Sequence, residues 1–347
     1  MKTAYFYLTP EGEALAKRLS LSHPGDLYGK NNFRENMKLA FENYNSLVCI
    51  MATGIVVRIL APLLSHKTKD PAVVVLDQKG KYAVSLLSGH LGGANDLARE
   101  MAAISGGEAV ITTATDVAGR ISFDTFARRH NLAIENIGQL KKISGALLAG
   151  EQICVFTDQD VLQDDPELLE EEKKGILEIF SLSPPFPMPA ENFSAVVIDE
   201  GFTFPDSEFA QFPVLYLRPR TICAGIGCKR GTSQEAIEAA LFQTLKEAGI
   251  SPLSLKCIAT IPLKADEPGI IKTASKHHLP LEIIPTEQIE ALDMKELGIE
   301  TSAFVAGQTG VQSVSTACSY LASHCGKILR DKAKYKGVTI ALSRERS

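Results

Sequence analysis

The stretch YAVSLLSGHLGGANDLARE, residues 82–100, contains an apolar run, a glycine-rich loop and the start of a helix in direct succession. Residues 82–87 have the character of a buried strand, and a helical pattern begins at Asp96. In open α/β sheets, loops of this kind join the carboxyl end of a strand to the N-terminus of a helix, which is where ligands gather. The stretch therefore predicts an α/β sheet with a ligand loop.

The alternation of strand and helix continues on both sides of this stretch. Short apolar runs such as SLVCIMA (46–52) and TICAGIG (221–227) are separated by helical patterns. Such runs are typical of parallel, doubly wound sheets. We predict two doubly wound α/β domains with parallel or mixed sheets, residues 1–138 and 219–347, and a smaller middle α/β domain, residues 139–218.

The composition indicates a globular protein with a large core. The chain has 347 residues, of which 45% are hydrophobic, and no apolar run reaches the roughly 18 residues that span a bilayer. The first apolar segment ends before Thr9, and a segment of this length is too short for a secretory signal. Seven cysteines form no CxxC pair, so we expect reduced thiols and a cytoplasmic protein.

Negative charge is concentrated in the predicted middle domain. Between Asp158 and Glu178 there are nine acidic residues and two lysines, in a chain of net charge −5. An acidic run of this kind is usually a solvated surface and argues against nucleic-acid binding. The segment SLSPPFPMP, residues 181–189, contains four prolines, which exclude a helix or a central strand there.

The loop SGHLGGAN, residues 88–95, is the first candidate site. Gly89, Gly92 and Gly93 allow the backbone to approach a ligand, and the amides of the following helix favour negative charge. Asn95 or Asp96 is expected to cap that helix. His90 would lie at the mouth of the site, with a reference pKa of about 6.5 that suits proton transfer. A tight turn with a half-exposed histidine is an equally good interpretation of the local sequence.

A second candidate loop follows the run TICAGIG. In CKRGTSQEAIEAA, residues 228–240, Thr232 and Glu235 fit a capping box at the start of a helix. Lys229 and Arg230 precede that helix, and two cations beside a helix N-terminus suit carboxylates or phosphates. The alternative is a solvated basic turn.

The sequence predicts no metal site of its own. It contains no HxxxH or CxxC ligand set. His277 and His278 are adjacent, so on a helix they point about 100° apart and cannot easily share one metal ion.

Five motifs of the chain occur together in a known family: ATGIVVRILAPLLSHKTKDPAVVVLDQKGKYAVSLLSGHLGGANDLARE (52–100), ITTATD (111–116), FDTFA (123–127), GIGCKRGTS (225–233) and KADEPGI (264–270). Through them the chain resembles the cobalt-precorrin-5A hydrolases of anaerobic cobalamin biosynthesis. The resemblance runs from about Ser46 to the end of the chain. The chain departs from the family at one position, where Thr316 stands in place of an expected acidic residue.

The resemblance implies a reaction and a substrate. The family opens the δ-lactone of cobalt-precorrin-5A and releases the extruded ring carbon with its methyl group as acetaldehyde, which gives cobalt-precorrin-5B. The cobalt belongs to the substrate, so no cofactor is expected. The resemblance implies cobalt-precorrin-5A as the binding partner, with possible transient contacts to other corrin-pathway enzymes. No binding to nucleic acid or membrane is expected. A homodimer is one possible oligomeric state.

Roles for individual residues follow from that substrate. Lactone opening needs a base that activates water and donors for the developing oxyanion. We assign the base role to His90 and the oxyanion role to the amides near Gly92 and Gly93. Asp70 or Asp116 would orient the histidine or act as an alternative base. A precorrin carries many carboxylates, which cationic side chains would bind: Lys67, Lys229, Arg230 and Lys264.

Two other classes of function stay open at this point. A non-catalytic tetrapyrrole-binding or transfer protein would need the same basic residues and glycine loops, but no titratable group at position 90. A phosphate- or nucleotide-dependent transferase would also use glycine-rich loops, but the dinucleotide and P-loop spacings are missing.

Overall fold

The computed structural model describes residues 2–66, 69–158, 165–182, 193–205, 209–293, 297 and 314–346. The described strands are β1 (Thr3–Tyr7), β2 (Asp26–Tyr28), β3 (Ser46–Ile50), β4 (Ala72–Leu76), β5 (Tyr82–Leu87), β6 (Glu108–Val110), β7 (Leu132–Ile134), β8 (Ile153–Thr157), β9 (Leu177–Phe180), β10 (Ala195–Ile198), β11 (Val214–Pro219), β12 (Ile222–Cys228), β13 (Leu255–Thr260), β14 (Leu281–Ile283), β15 (Lys327–Tyr335) and β16 (Val338–Arg344). The described α-helices are α1 (Pro10–Ser22), α2 (Phe33–Asn43), α3 (Thr53–Leu60), α4 (Ala94–Ser105), α5 (Ala114–Val117), α6 (Phe123–Arg129), α7 (Leu140–Ala149), α8 (Pro166–Lys173), α9 (Gln234–Glu247), α10 (Pro268–Lys276), α11 (Thr286–Glu290) and α12 (Val314–Ala322).

The first sheet has the order β2-β1-β3-β4-β5-β6 and helices on both faces. Alternate side chains of β1 show this directly. Tyr5 packs with Leu19 of α1 and Met101 of α4, whereas Phe6 packs with Met37 of α2 on the other face. A strand buried on both faces needs a continuous apolar run rather than an alternating one, which confirms the α/β fold class.

A hairpin between β4 and β5 interrupts the parallel arrangement. β4 and β5 pair antiparallel, whereas β2, β1, β3 and β4 are parallel, as are β5 and β6. The connection of residues 77–81 is too short for a parallel crossover. It turns at Gly80, which has a φ of 69°, and the Asp77 carboxylate accepts the backbone N–H of Lys79 and Tyr82 at 2.8 Å. The loop after β5 therefore lies at the end of the sheet where β1, β3 and β4 begin.

The second sheet has the order β7-β11-β10-β8-β9, with β7 antiparallel to β11. Its core contains several phenylalanines, among them Phe156, Phe193 and Phe204. β7 precedes residue 139, where we placed the start of the middle domain, but it pairs with β11 in this sheet. The second sheet thus includes β7, a short edge strand that precedes the predicted start of the middle domain.

The third sheet has the order β14-β13-β12-β16-β15. α9 and α10 cover one face and α11 and α12 the other. α12 packs directly on β12 at Gly225. A Cβ atom at this position would lie 1.8 Å from the carbonyl oxygen of Ser315, so the contact requires glycine. β15 was not predicted. Its sequence KILRDKAKY is rich in charge because an edge strand is partly exposed.

The backbone divides into two compact units, residues 1–129 with 144–150, and residues 130–143 with 151–347. The first contains the first sheet, and the second contains the other two. The division into three domains stays a prediction. Among the described residues, none of the helices has the length and apolar character of a membrane span.

Candidate active site

The loop after β5 is folded tightly on itself. A Cβ atom at Gly89 would lie 2.7 Å from Oδ1 of Asn95, and one at Gly92 would lie 2.4 Å from Cβ of Ser88. Gly93 has a φ of 86°, a conformation that favours glycine. The glycines are thus required by the fold of the loop itself, in addition to any role in binding.

His90 lies between two carboxylates. Its Nε2 atom is 2.8 Å from Oδ2 of Asp116, and its Nδ1 atom is 3.3 Å from Oδ2 of Asp124. The imidazole side chain is 18% exposed, so one edge remains accessible. Because a carboxylate accepts hydrogen bonds, both ring nitrogens carry protons when both contacts are made.

Asp116 is held in place by three further donors. Thr113 Oγ1 donates to its Oδ2 atom at 2.6 Å and Asn95 Nδ2 at 2.9 Å, while Arg99 Nη2 donates to Oδ1 at 2.5 Å. Asn95 is itself fixed, because its Oδ1 atom accepts the hydroxyl of Ser85 at 2.7 Å. Asp116 therefore suits an orienting role towards His90 Nε2.

Sequence analysis did not identify Asp124, the second partner of His90. Asp124 lies in the first turn of α6 and is 5% exposed. Its Oδ1 atom accepts the hydroxyl of Ser122 and the backbone N–H of Thr125. The signal was available in FDTFA, where an acidic residue stands between Phe123 and Phe126, both buried, since a buried carboxylate needs partners.

The charges of this group reinforce one another. Burial alone would lower the pKa of His90, but Asp124 and Asp116 together outweigh burial and raise it above its ordinary value. Burial alone would raise the pKa of each carboxyl group, yet both pKa values are lowered. Hydrogen bonds from Thr113 and His90 lower the pKa of Asp116. Hydrogen bonds from His90 and Ser122 lower the pKa of Asp124. These shifts all favour the charged form of the group, an imidazolium between two carboxylates.

A cavity of about 340 Å³ opens beside His90. Asp124 contributes to its wall together with the end of β5 and the loop after it. His90 and Asp124, the partner of its Nδ1 atom, therefore both line this cavity. The backbone N–H of Gly93, one of the two predicted oxyanion donors, already donates to the carbonyl oxygen of His90 at 2.9 Å.

The predicted helix cap was wrong. Gly93 is the N-cap residue of α4, and no side chain caps this helix. Asn95 is 2% exposed and turned inward to Asp116. Asp96 instead pairs with Arg99 at 2.9 Å and with Arg128 of α6, because the tight loop leaves glycine at the position where a capping side chain would act.

Asp70 is used elsewhere in the same unit. Its carboxylate accepts the backbone N–H groups of Ser65 and His66 at 3.1 and 3.3 Å. Its backbone carbonyl accepts the Ser88 hydroxyl at 2.9 Å, so Asp70 supports the loop through its main chain. Lys67, predicted to bind substrate, lies outside the described residues.

The second loop lies in the other unit, between β12 and α9. Arg230 Nη1 is 2.6 Å from Oδ1 of Asp266, and Lys264 Nζ is 3.6 Å from Oε2 of Glu267. The structure therefore brings the predicted cations Arg230 and Lys264 to the same pair of loops. The predicted capping box of Thr232 and Glu235 was wrong, because Ser233 is the N-cap of α9 and its hydroxyl accepts the backbone N–H of Ala236.

Thr316 is buried in α12 and its hydroxyl donates to Oδ1 of Asp331 at 2.5 Å. Asp331 belongs to β15, so the neighbouring strand brings a carboxylate to the side chain where the family resemblance implied one.

Comparison with known proteins gives a consistent result. Family models match residues 35–116 (cobalamin synthesis G N-terminal), 121–184 (cobalamin biosynthesis central region) and 222–343 (cobalamin synthesis G C-terminus). The cobalt-precorrin-5A hydrolase of Salmonella typhimurium is 35% identical over 98% of this chain and 96% of its own length. That of Priestia megaterium is 33% identical over 87% and 79%.

Among solved structures, a cobalamin biosynthesis protein G homologue from Sulfolobus solfataricus is 23% identical, with a TM-score of 0.39 over 99% of this chain and 97% of the other. The family models cover most of the sequence, and relatives above 30% identity extend over nearly all of it. On this basis the chain belongs to the cobalamin synthesis G family, the cobalt-precorrin-5A hydrolases.

Proposed function

We propose that this protein hydrolyses the δ-lactone of cobalt-precorrin-5A and releases acetaldehyde, and that the chemistry occurs at His90. The names of its full-length relatives support the substrate and the reaction class. The observation that carries the assignment of the site is the position of His90 between Asp116 and Asp124, at the wall of a cavity.

The two carboxylates have different roles in this proposal. Asp116 accepts four hydrogen bonds, including that of His90 Nε2, and it fixes the ring as the aspartate of a catalytic triad does. Asp124 lies on the cavity side. Once His90 has lost the Nδ1 proton, this nitrogen and Asp124 accept a proton from water as the water attacks the lactone carbonyl.

The remaining steps use the same proton. Water adds its oxygen to the acyl carbon, and the acyl C–O bond breaks to give a carboxylate and an alcohol on the extruded carbon. Protonated His90 supplies the proton to that alcohol oxygen. When the alcohol later loses its proton, the bond between the methyl-bearing extruded carbon and the ring breaks. The alcohol oxygen becomes the carbonyl oxygen of acetaldehyde, and the electron pair of the broken C–C bond stays with the ring. The amide near Gly92 would stabilise the oxyanion.

Cationic side chains are the candidates for binding the carboxylates of the substrate in this proposal. Lys229, Arg230 and Lys264 bind carboxylate side arms, with Lys67 as a further candidate. Gly89 and Asn95, also predicted to bind substrate, act through the shape of the His90 loop. The protein needs no cofactor in this proposal, because the cobalt ion arrives with the substrate, and it works in the cytoplasm.

Anaerobic incubation of the protein with cobalt-precorrin-5A, followed by an assay for acetaldehyde, tests the proposal. We expect stoichiometric acetaldehyde from the wild-type protein and very little from His90→Gln. Tight binding of the corrinoid without any acetaldehyde would instead identify a carrier of the intermediate.

A further inference from the structure

A second cavity, of about 290 Å³, lies where the first turns of α9 and α10 meet. Gly269 makes this contact possible, because a Cβ atom there would lie 2.4 Å from the carbonyl oxygen of Thr232. Gln234 of α9 and Lys272 of α10 both line the cavity. Two helix N-termini therefore direct positive partial charge into one space.

Glu267 forms part of the wall of this cavity and is fully buried. Its Oε1 atom accepts the backbone N–H of Gly231 at 2.8 Å. Its Oε2 atom has no hydrogen-bond partner among the residues that the structure describes. A buried carboxylate oxygen without a donor is unfavourable, so the wall of the cavity contains an unsatisfied acceptor.

The charges around Glu267 are mixed. Lys264 Nζ and Arg230 Nε lie 3.6 and 3.8 Å from Oε2, beyond hydrogen-bond distance, and Lys272 faces the cavity from α10. Acidic groups on the neighbouring elements are Glu235 of α9, at the rim of the cavity, and Asp266, which is paired with Arg230. The thiol of Cys228 lies close enough that Glu267 contributes to its raised pKa, after burial.

We propose that this cavity binds one carboxylic acid side arm of the corrinoid and takes up one proton with it, shared between the arm and Oε2 of Glu267. The inference rests on the proposed function and specifies the ligand chemistry of its second loop. Lysines and helix N-termini attract the anionic arm, but a bare carboxylate against Oε2 would place two negative oxygens in contact. Two carboxyl groups in one site resolve this repulsion by holding a single proton.

The proton is the measurable signature. A cobalt corrinoid with free carboxylic acid arms should bind about tenfold more tightly for each unit of pH lowered, which corresponds to one proton. Titration calorimetry in two buffers of different ionisation enthalpy counts that proton directly. The same corrinoid with all arms converted to carboxamides should bind with no proton uptake, since an amide N–H donates to Oε2 by itself.

Glu267→Gln tests the residue. Glutamine keeps the acceptor for Gly231 and offers an N–H to a bare carboxylate, so the acid corrinoid should still bind but without proton uptake. Glu235→Gln removes a negative charge from the rim of the same cavity and should leave the uptake unchanged. Proton uptake on binding of the acid corrinoid must also persist in His90→Gln. This variant excludes His90 as the source of the measured protonation.

Wild-type binding of the acid corrinoid without proton uptake would overturn the inference, as would unchanged uptake in Glu267→Gln. If Glu267→Gln does not fold, the comparison of acid and amide corrinoids on wild-type protein decides. Complete absence of binding would also overturn it, and acetaldehyde release would then show separately whether the proposed function stands.

Discussion

Asn95 Nδ2 lies 2.9 Å from Oδ2 of Asp116, the same carboxylate oxygen that His90 contacts. Asn95 is in the first turn of α4 and Asp116 is in α5. One buried amide thus connects the helix that follows the glycine loop to the carboxylate that orients the histidine. This arrangement makes the two sides of His90 unequal.

His90→Gln should bind the substrate but reduce kcat by about 10²-fold or more, the usual scale of a general base. Glutamine retains polar atoms in the loop without the basic nitrogen. Acetaldehyde release in single-turnover experiments measures the effect. Turnover close to that of the wild type would remove His90 from the mechanism.

The pH dependence of kcat/KM should show an acid limb above the reference value of about 6.5. The base is neutral His90, and its carboxylate partners raise its pKa, so the neutral form appears only at higher pH. Asp116→Asn removes one of these partners and should move the limb to lower pH. An acid limb nearer 4, unaffected by this change, would indicate a carboxylate base.

Asp124→Asn should lower kcat by about 10²-fold, since Asp124 faces the cavity and shares the proton with Nδ1. Asp70→Asn is the matched control. Its carboxylate contacts only backbone N–H groups of the preceding loop among the described contacts, so kcat should change by less than about threefold. A larger loss of kcat in Asp70→Asn than in Asp124→Asn would assign the catalytic role to Asp70 instead of Asp124.

The charged group should also be visible in stability. The raised pKa of His90 provides stability below its unfolded value of about 6.5, lost as pH rises through the folded pKa. The lowered pKa values of Asp116 and Asp124 provide stability above about 4, lost as pH falls through those values. Urea unfolding should therefore separate wild type from His90→Gln most at pH 4–6.5, and the difference should shrink as pH rises through the folded pKa of His90. An equal difference at every pH would argue against the ion pairs.

Replacing Lys229 and Arg230 together by alanine should weaken corrinoid binding by about tenfold or more while leaving the fold intact. Arg230 is 56% exposed, so its loss should change the unfolding midpoint little. Arg330→Ala, which removes an exposed cation of β15 paired with Glu247, controls for general charge. Unchanged affinity of the double variant would exclude this loop from the site.

The sequence analysis located His90, its glycine loop and Asp116, because these features occur in short motifs beside apolar strands. It did not find Asp124, whose contact with His90 depends on how α6 packs. It also did not find the β4–β5 hairpin, although the short connection around Gly80 could have indicated it. The charged edge strand β15 carries no apolar pattern from which it could be predicted.

The β4–β5 hairpin has a consequence for the order of folding. Its strands are joined by five residues, and contacts of such short separation form within microseconds, before pairings distant in sequence. Asp116 reaches His90 across 26 positions, and Asp124 comes later still. The strand that precedes the histidine loop is thus held by local pairing, whereas the site is complete only when α5 and α6 are docked. Defects in the docking of those helices should therefore abolish activity while leaving the hairpin paired.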